Sequence, residues 1–210
     1  MVPAYHRFTM IKLLTGLFSG PSKRVPGLRA STPRNRAGAI ASTSQSGPNA
    51  AAELQRFMQI ITSHLDMDEG LRLETAVTAA FHERPDASVA FAEGILGDDG
   101  QHSGHRLLIQ VGRQAHDDLE GQVSEIAQSL GLSERWSWAT PHGSRSVATG
   151  LREVGAWAAD HGYAVLHLDL GDDASYAVMV TAPLGDRAQE AGAGAGLRVR
   201  STKQYAQDVG

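Results

Sequence analysis

The spacing of apolar residues divides the chain after residue 50 into helical and extended segments. Four segments repeat apolar residues every three or four positions, which is typical of amphipathic helices. These helices are predicted over residues 50–65, 69–83, 114–130 and 147–160. Two short apolar runs, near 106–111 and 197–200, predict strands. A short helix is predicted over 185–193, whereas residues 86–96 fit either a helix or a strand.

The clearest strand pattern lies between residues 162 and 182. Two runs rich in apolar and β-branched residues flank the turn Gly171-Asp172-Asp173, which is typical of an antiparallel hairpin. Its strands are predicted near 163–170 and 175–182. We expect this hairpin (163–182) to join the two short strands, with several helices against one face of the sheet. The fold class predicted is therefore α+β, with a small and mainly antiparallel sheet.

The first 49 residues have a different composition from the remainder. Seven Lys and Arg residues and no Asp or Glu precede Glu53. Ser, Gly, Pro and Ala are frequent there, and such a segment cannot bury enough apolar surface to offset the entropy of ordering it. We therefore predict a disordered basic leader over residues 1–49, one α+β domain over 50–200, and a frayed tail over 201–210.

A short apolar run over residues 10–18 interrupts the leader. Crossing a bilayer requires about 20 apolar residues, so this run predicts no membrane span. Three interpretations stay open. The run is an amphipathic segment that makes a weak contact with an anionic membrane surface, or part of an organelle transit peptide, or a loose terminus in which Met10 is the true start.

Composition excludes several classes of function. The chain contains no cysteine, so it has no disulfide, no thiolate nucleophile and no cysteine-ligated metal. A chain without cysteine fits a reducing compartment, and we expect the protein to be cytoplasmic. Residues 53–210 hold 23 acidic and 12 basic residues, a net charge of −11. An acidic body argues against binding to nucleic acid and favours a basic protein partner.

The sequence contains none of the common short motifs of enzyme active sites. The sequence has no Gly-x-Ser-x-Gly elbow, no phosphate-binding P-loop and no His-Glu-x-x-His helix. The glycines of residues 192–196 follow a predicted helix rather than a strand, so they predict a helix end and not a dinucleotide site. No cofactor is predicted.

Polar residues on the hairpin form one candidate site. Strand alternation places His167 and Asp169 on the same face of the sheet. If Leu170 lies opposite Ser175, Tyr176 joins them, and the three side chains then resemble a proton shuttle. The alternative is a half-buried histidine that helps to specify the strand register.

The loop after residue 97 offers a candidate metal site. It contains two carboxylates and two imidazoles, which are ligand types for a hard or borderline cation. These residues are Asp98, Asp99, His102 and His105. Together with His167 and Asp169 they define an alternative function, a metal-assisted hydrolase. The other interpretation is a solvated polar loop before a strand.

Two further groups of residues are candidate binding surfaces. Asp172 and Asp173 repeat the Gly-Asp-Asp sequence of residues 97–99, which indicates either ordinary turn chemistry or an acidic cluster for a divalent ion. Trp136 and Trp138 lie in the longest predicted loop. They anchor a protein partner or cover one end of the core.

The hairpin, the segment over 94–100 and the strand over 106–111 together resemble an uncharacterised bacterial family of small cytoplasmic domains. The similarity covers about residues 53–200 and implies no known activity and no site residues. The hairpin is also similar to small α+β immunity-type domains that bind toxins. The function expected is a non-enzymatic binding domain with an acidic surface; the oligomeric state stays open.

Overall fold

The computed structural model describes residues 48–102 and 105–208, which contain seven helices and four strands. The helices are α1 (Pro48–Ile61), α2 (Met67–Glu83), α3 (Ala87–Leu96), α4 (Asp118–Ser129), α5 (Val147–Asp160), α6 (Gly185–Ala195) and α7 (Thr202–Asp208). The strands are β1 (Leu108–Val111), β2 (Tyr163–Asp169), β3 (Ser175–Thr181) and β4 (Arg198–Ser201). The predicted hairpin and the two accompanying strands are confirmed, and the fold is α+β.

The predictions for the leader lie outside the described residues. Of the segment 1–49, only Pro48 and Asn49 are described, and they begin α1. The apolar run over 10–18 is not among the described residues. None of the described helices combines the length and the apolar character that crossing a membrane requires.

All strand pairs in the sheet are antiparallel, and the spatial order is β1-β3-β2-β4. The hairpin strands β2 and β3 therefore occupy the centre. Residues 86–96, whose sequence fits either a helix or a strand, form helix α3. Asp86 Oδ1 accepts hydrogen bonds from the backbone N–H groups of Ser88 and Val89, which starts the helix at Ala87.

Helices cover both faces of the sheet, so the expectation of helices on one face is wrong. Leu166, Leu168 and Val178 belong to a first core with α1, α2, α3 and α6. Val165 and Ala177 belong to a second core with α4 and α5. The physical reason is that β2 and β3 carry apolar residues at odd and even positions alike, and each face needs its own cover.

The predicted frayed tail is wrong for residues 202–208, which form α7. Tyr205 is the buried residue of this helix, and its ring stacks on that of His167 with the centroids 4.0 Å apart and the planes 4° from parallel. Arg200 Nη1 also lies 2.6 Å from Asp208 Oδ2. One aromatic residue in a polar segment leaves no periodic pattern, so the sequence did not indicate this helix.

Helices α2 and α3 approach closely because Gly94 has no side chain. A Cβ atom at residue 94 would lie 2.5 Å from Val77 Cγ2 and 2.7 Å from Val77 Cα. The second of these contacts is to backbone, which cannot move aside without separating the helices. Gly94 therefore sets the distance between these two helices of the first core.

We expect Gly94→Ala to lower the free energy of unfolding by about 2 kcal/mol, in the range of overpacked cores. Urea unfolding followed by circular dichroism measures the change. Gly121→Ala is the matched control, since Gly121 lies in α4 and a Cβ there meets no atom within 4 Å. It should raise stability by about 0.5–1 kcal/mol, because alanine is the better helix former. Equal effects in the two variants would contradict this account of the α2–α3 contact.

Candidate functional site

A cavity of about 520 Å³ lies at the turn end of the β2–β3 hairpin. We call it the hairpin cavity. Five of the residues that the sequence singled out line it, namely His167, Asp169, Asp172, Asp173 and Tyr176. Residues that the sequence did not single out complete the wall, among them Arg113, Ser146, Arg200 and Tyr205. The cavity is thus built from β2, β3, β4, α7, the start of α5 and the loop after β1.

His167 is the most deeply buried polar group of this cavity, with 1% of its surface exposed. Burial, and to a smaller extent the positive charge of Arg200, lowers the pKa of its imidazole to about 4. The ring is therefore neutral at pH 7 and carries one N–H. His167 was expected to be half-buried. Its side chain is almost fully buried, because Tyr205 of α7 covers the ring.

The hydrogen bonds of Thr202 identify which nitrogen of His167 carries the proton. Thr202 Oγ1 lies 3.1 Å from the carbonyl oxygen of Val165, an acceptor, so the hydroxyl donates there. The same oxygen lies 3.4 Å from His167 Nε2 and acts as the acceptor of that contact, so Nε2 holds the hydrogen. Nδ1 then presents a lone pair, and it is buried without a hydrogen-bond partner.

The predicted trio of His167, Asp169 and Tyr176 on one sheet face is wrong. The register pairs His167 with Ala177 and Leu168 with Tyr176, one residue away from the register expected. Tyr176 therefore lies with the first core, on the opposite face from His167. A one-residue change of register moves a side chain to the other face.

The loop over residues 170–174 explains this register. Asp169 Oδ1 accepts a hydrogen bond from the N–H of Gly171, and Asp172 Oδ1 accepts one from the N–H of Ala174. Gly171 has a φ of 91°, which favours glycine. These consecutive side-chain turns give a five-residue connection, and the turn interpretation of Asp172 is confirmed.

Most carboxylates at the cavity already have partners. Asp169 Oδ2 lies 3.0 Å from Arg198 Nη1, and Asp173 Oδ1 lies 2.9 Å from Arg113 Nη2. Asp172 Oδ2 accepts a 2.6 Å hydrogen bond from the Tyr176 hydroxyl. Burial, followed by this bond and the charge of Asp172, raises the pKa of Tyr176 to about 12. The hydroxyl of Tyr176 therefore donates a hydrogen bond, and it keeps its proton near neutral pH.

Positive groups face the same cavity. The Nε atom of Arg200 is buried without a hydrogen-bond partner. Ser146 caps α5 by accepting a hydrogen bond from the N–H of Thr149. The first-turn N–H groups of Val147 and Ala148 have no acceptor within a helix, and the positive end of the helix dipole lies there. These groups favour an anion.

The predicted metal loop does not assemble. Among the described residues, one group of three His, Asp or Glu residues has its ligand atoms within 4.8 Å of one another. Asp98, Asp99, His102 and His105 do not belong to it. His105 Nδ1 instead lies 3.7 Å from Asp66 Oδ2, at the start of α2. The backbone oxygen of Asp99 accepts a hydrogen bond from Arg72. The loop therefore packs against α2 as a polar connection. In the described part of the chain, Asp172 and Asp173 likewise belong to no group of three such ligand atoms.

The two tryptophans belong largely to the second core. Trp136 is 3% exposed, so the core interpretation holds for it and it offers no surface to a partner. Trp138 is partly buried against the same core and lies 5.2 Å from Trp136 between ring centroids. The guanidinium of Arg145 lies 5.0 Å from the centroid of the Trp138 ring.

A group of ligand atoms that the sequence did not indicate lies beside Trp138. It consists of His116, Asp117 and His142, whose ligand atoms lie within 4.8 Å of one another. His116 and Asp117 precede α4, and His142 lies 25 positions further along, in a short 3₁₀ turn before α5. No spacing rule connects two loop histidines so far apart, so only the tertiary structure reveals the group.

Titration by NMR tests the buried state of His167. We expect the imidazole signals of His167 to titrate near pH 4, whereas those of His161 should titrate above the usual value of 6.5. His161 differs because the carbonyl of Trp157 and the carboxylate of Glu134 stabilise its charged form. Since the folded-state pKa of His167 lies below the unfolded value, its contribution of about 3 kcal/mol is present above pH 6.5 and is lost as the pH falls towards 4. An ordinary pKa for His167 would contradict the burial by Tyr205.

Comparison with known proteins gives one match. No curated protein and no solved structure matches the chain. The model of a family described as a domain of unknown function, DUF6630, matches residues 53–202. This range covers most of both cores, the hairpin and the described wall of the cavity up to Arg200, and it agrees with the resemblance noted over about residues 53–200. The chain therefore belongs to the DUF6630 family of domains of unknown function.

Proposed function

We propose that this domain is a non-enzymatic binding domain, and that the hairpin cavity receives a small molecule carrying an anionic group and a hydrogen-bond donor. The observation that carries the proposal is the unpartnered pair of buried atoms, His167 Nδ1 and Arg200 Nε, on residues of one cavity wall. Buried polar atoms without partners are rare in folded proteins, and a ligand that bonds to them removes the cost. The cavity volume suits a small molecule.

Positively charged and N–H donor groups at the cavity indicate that the ligand carries an anionic group. Arg200 Nε and the first turn of α5 both offer N–H donors at the cavity. Arg113 forms its ion pair with Asp173 while both side chains are largely exposed, at 77% and 86%. Exposed ion pairs contribute little, so the guanidinium exchanges readily from Asp173 to a ligand anion.

The hydrogen-bond acceptors at the cavity indicate that the same ligand also carries a hydrogen-bond donor. His167 Nδ1 carries a lone pair and has no hydrogen-bond partner, and the carboxylates of Asp169 and Asp172 add negative charge to the same wall. A hydroxyl or an ammonium group satisfies the acceptor at His167. The ligand class that fits both halves is therefore a small hydroxy acid or amino acid.

Binding is favoured over catalysis by the state of the candidate acids and bases. A pKa of about 4 makes His167 a poor base at pH 7. Its hydrogen bond goes to Thr202, and the bonds of Asp169 go to Gly171 and Arg198, so no carboxylate orients the imidazole. Ser146, a hydroxyl in the cavity wall at the start of α5, is engaged as a cap. The absence of cysteine supports a cytoplasmic location as part of this proposal.

Matched probes test the proposal. We expect malate or L-glutamate to raise the melting temperature of the full chain and to bind in a 1:1 ratio by calorimetry. Succinate has the carboxylates of malate but no hydroxyl, so it should bind more weakly because His167 Nδ1 is then left without a donor. Arg113→Gln and Arg200→Gln should each weaken binding by about tenfold or more, as expected when a charged hydrogen bond is lost.

Arg56→Gln is the control, because Arg56 lies on α1, away from the cavity wall, with 63% of its side chain exposed. It removes the same charge and should leave the affinity unchanged. The small-molecule proposal is wrong if none of malate, L-glutamate, citrate and inorganic phosphate binds, or if Arg56→Gln weakens binding as much as Arg113→Gln. Chemical conversion of a bound probe would contradict the non-enzymatic part.

A second candidate is a basic protein partner that docks on the hairpin turn. The specific support is the exposure of Asp173, together with the net charge of −11 over residues 53–210. A surface of this charge steers basic partners and makes their binding sensitive to salt. The turn projects Asp172 and Asp173 at the outer end of the sheet, where a partner has access to them.

Reversing the charge of one residue tests whether a partner docks on the hairpin turn or responds only to the net charge of the domain. We expect Asp173→Lys to abolish salt-sensitive capture of a partner on the immobilised chain, because it places a positive charge on the docking surface. Glu83→Lys changes the net charge equally at the exposed end of α2 and should leave capture intact. Capture that resists salt, or that both variants reduce alike, would eliminate this candidate.

A further inference from the structure

We propose that His116, Asp117 and His142 form a binding site for a divalent transition-metal ion, for which Zn²⁺ is the probe. The three residues lie outside the wall of the hairpin cavity, so this inference is independent of the proposed function. The donor set is two imidazoles and one carboxylate, which suits Zn²⁺ and its neighbours in the first transition series.

The distances between the donor atoms fit a common ion. Asp117 Oδ1 lies 3.5 Å from His116 Nε2 and 3.6 Å from His142 Nε2. Zinc–ligand distances of about 2.0–2.2 Å in tetrahedral geometry separate two ligand atoms by roughly 3.3–3.5 Å. The carboxylate oxygen is therefore placed to share one ion with each imidazole, with small side-chain adjustments.

The carboxylate of Asp117 does not cap helix α4. Asp117 occupies the N-cap position of α4, where an aspartate normally accepts a hydrogen bond from the first turn. Its side chain makes no such bond, and Oδ1 faces the two imidazoles instead. The N–H groups of Asp118 and Leu119 donate instead to the carbonyl oxygens of Ala115 and His116. The Asp117 carboxylate is therefore not used as a cap and is free to bind an ion.

The state of His116 is the second independent observation. Its Nε2 atom is buried and has no hydrogen-bond partner, although Asp117 Oδ1 is only 3.5 Å away. The ring is held by an edge contact with Trp138, with the centroids 6.2 Å apart and the planes perpendicular. An imidazole nitrogen that is shielded from water, lies 3.5 Å from a carboxylate oxygen and makes no hydrogen bond can bind a metal without losing one.

The proposed site connects two loops. His116 and Asp117 end the connection from β1 to α4, whereas His142 begins the 3₁₀ turn His142–Ser144 before α5. An ion bound by all three would cross-link these loops. Three protein ligands also leave coordination positions for water, as in metal sites that are open to solvent.

Metal titration of the full chain tests the site. After treatment with EDTA and dialysis, we expect one equivalent of Zn²⁺ to bind in calorimetry and to raise the melting temperature. Co²⁺ should give visible ligand-field bands that Zn²⁺ then removes by competition. His142→Ala and Asp117→Asn should each weaken Zn²⁺ binding by about 10- to 100-fold or more, the range found when support for a metal is lost. His142 is 74% exposed, so its removal should leave the fold intact.

Two controls identify the ligands. His82→Ala removes an exposed histidine at the end of α2, and the double variant His102→Ala/His105→Ala removes the histidines of the loop after residue 97. Both should bind Zn²⁺ as the unaltered chain does. Arg200→Gln should also leave Zn²⁺ binding unchanged, which separates this site from the hairpin cavity. The proposal is wrong if the unaltered chain binds no stoichiometric Zn²⁺, or if binding survives His142→Ala and Asp117→Asn.

Discussion

The requirement that both faces of the β2–β3 hairpin be covered governs the rest of this structure. Leu166 and Leu168 face one core while Val165 faces the other, so a single layer of helices would leave half of the hairpin in water. Burial of apolar surface stabilises by about 25 cal/mol for each Å², and both layers of helices gain from it. The central position of the hairpin in the order β1-β3-β2-β4 follows, because the two strands that need cover on both faces also gain strand neighbours on both edges.

His167 is the exception in this apolar hairpin, and the second layer is arranged around it. The ring stacks on Tyr205, and Thr202 occupies its Nε2 atom. Both partners come from the first turn of α7, so the buried imidazole and this helix depend on each other. The cost of burying the ring appears as a pKa of about 4, and its second nitrogen is left without a partner beside a cavity. Groups with strongly shifted pKa values cluster at functional sites, and this one lies in the wall of a cavity.

The polar residues collect at one end of the sheet. The hairpin turn, the loop after β1 and the start of α5 meet there, and together they supply Asp173, Arg113 and Ser146 to the cavity. His116 and Asp117 belong to the loop after β1 as well, and His142 precedes α5. Loops that a rigid scaffold brings together are the usual place for binding groups. The connections at this end thus supply one part of the cavity wall, and strands β2 and β4 supply His167 and Arg200.

The sequence by itself determined most of the helices and strands, the hairpin, the strand alternation of His167 and Asp169, and the choice of Asp172 as a turn residue, because these depend on local periodicity and local hydrogen bonds. It left α3 open and did not indicate α7. Only the structure revealed the register that separates Tyr176 from His167, because the side-chain turns of Asp169 and Asp172 lengthen the connection to five residues. It also decided that Tyr205, Arg200 and Arg113 join the cavity, and that His116 meets His142. Contacts of this kind join residues far apart in the chain, and they arise from packing that no spacing along the sequence encodes.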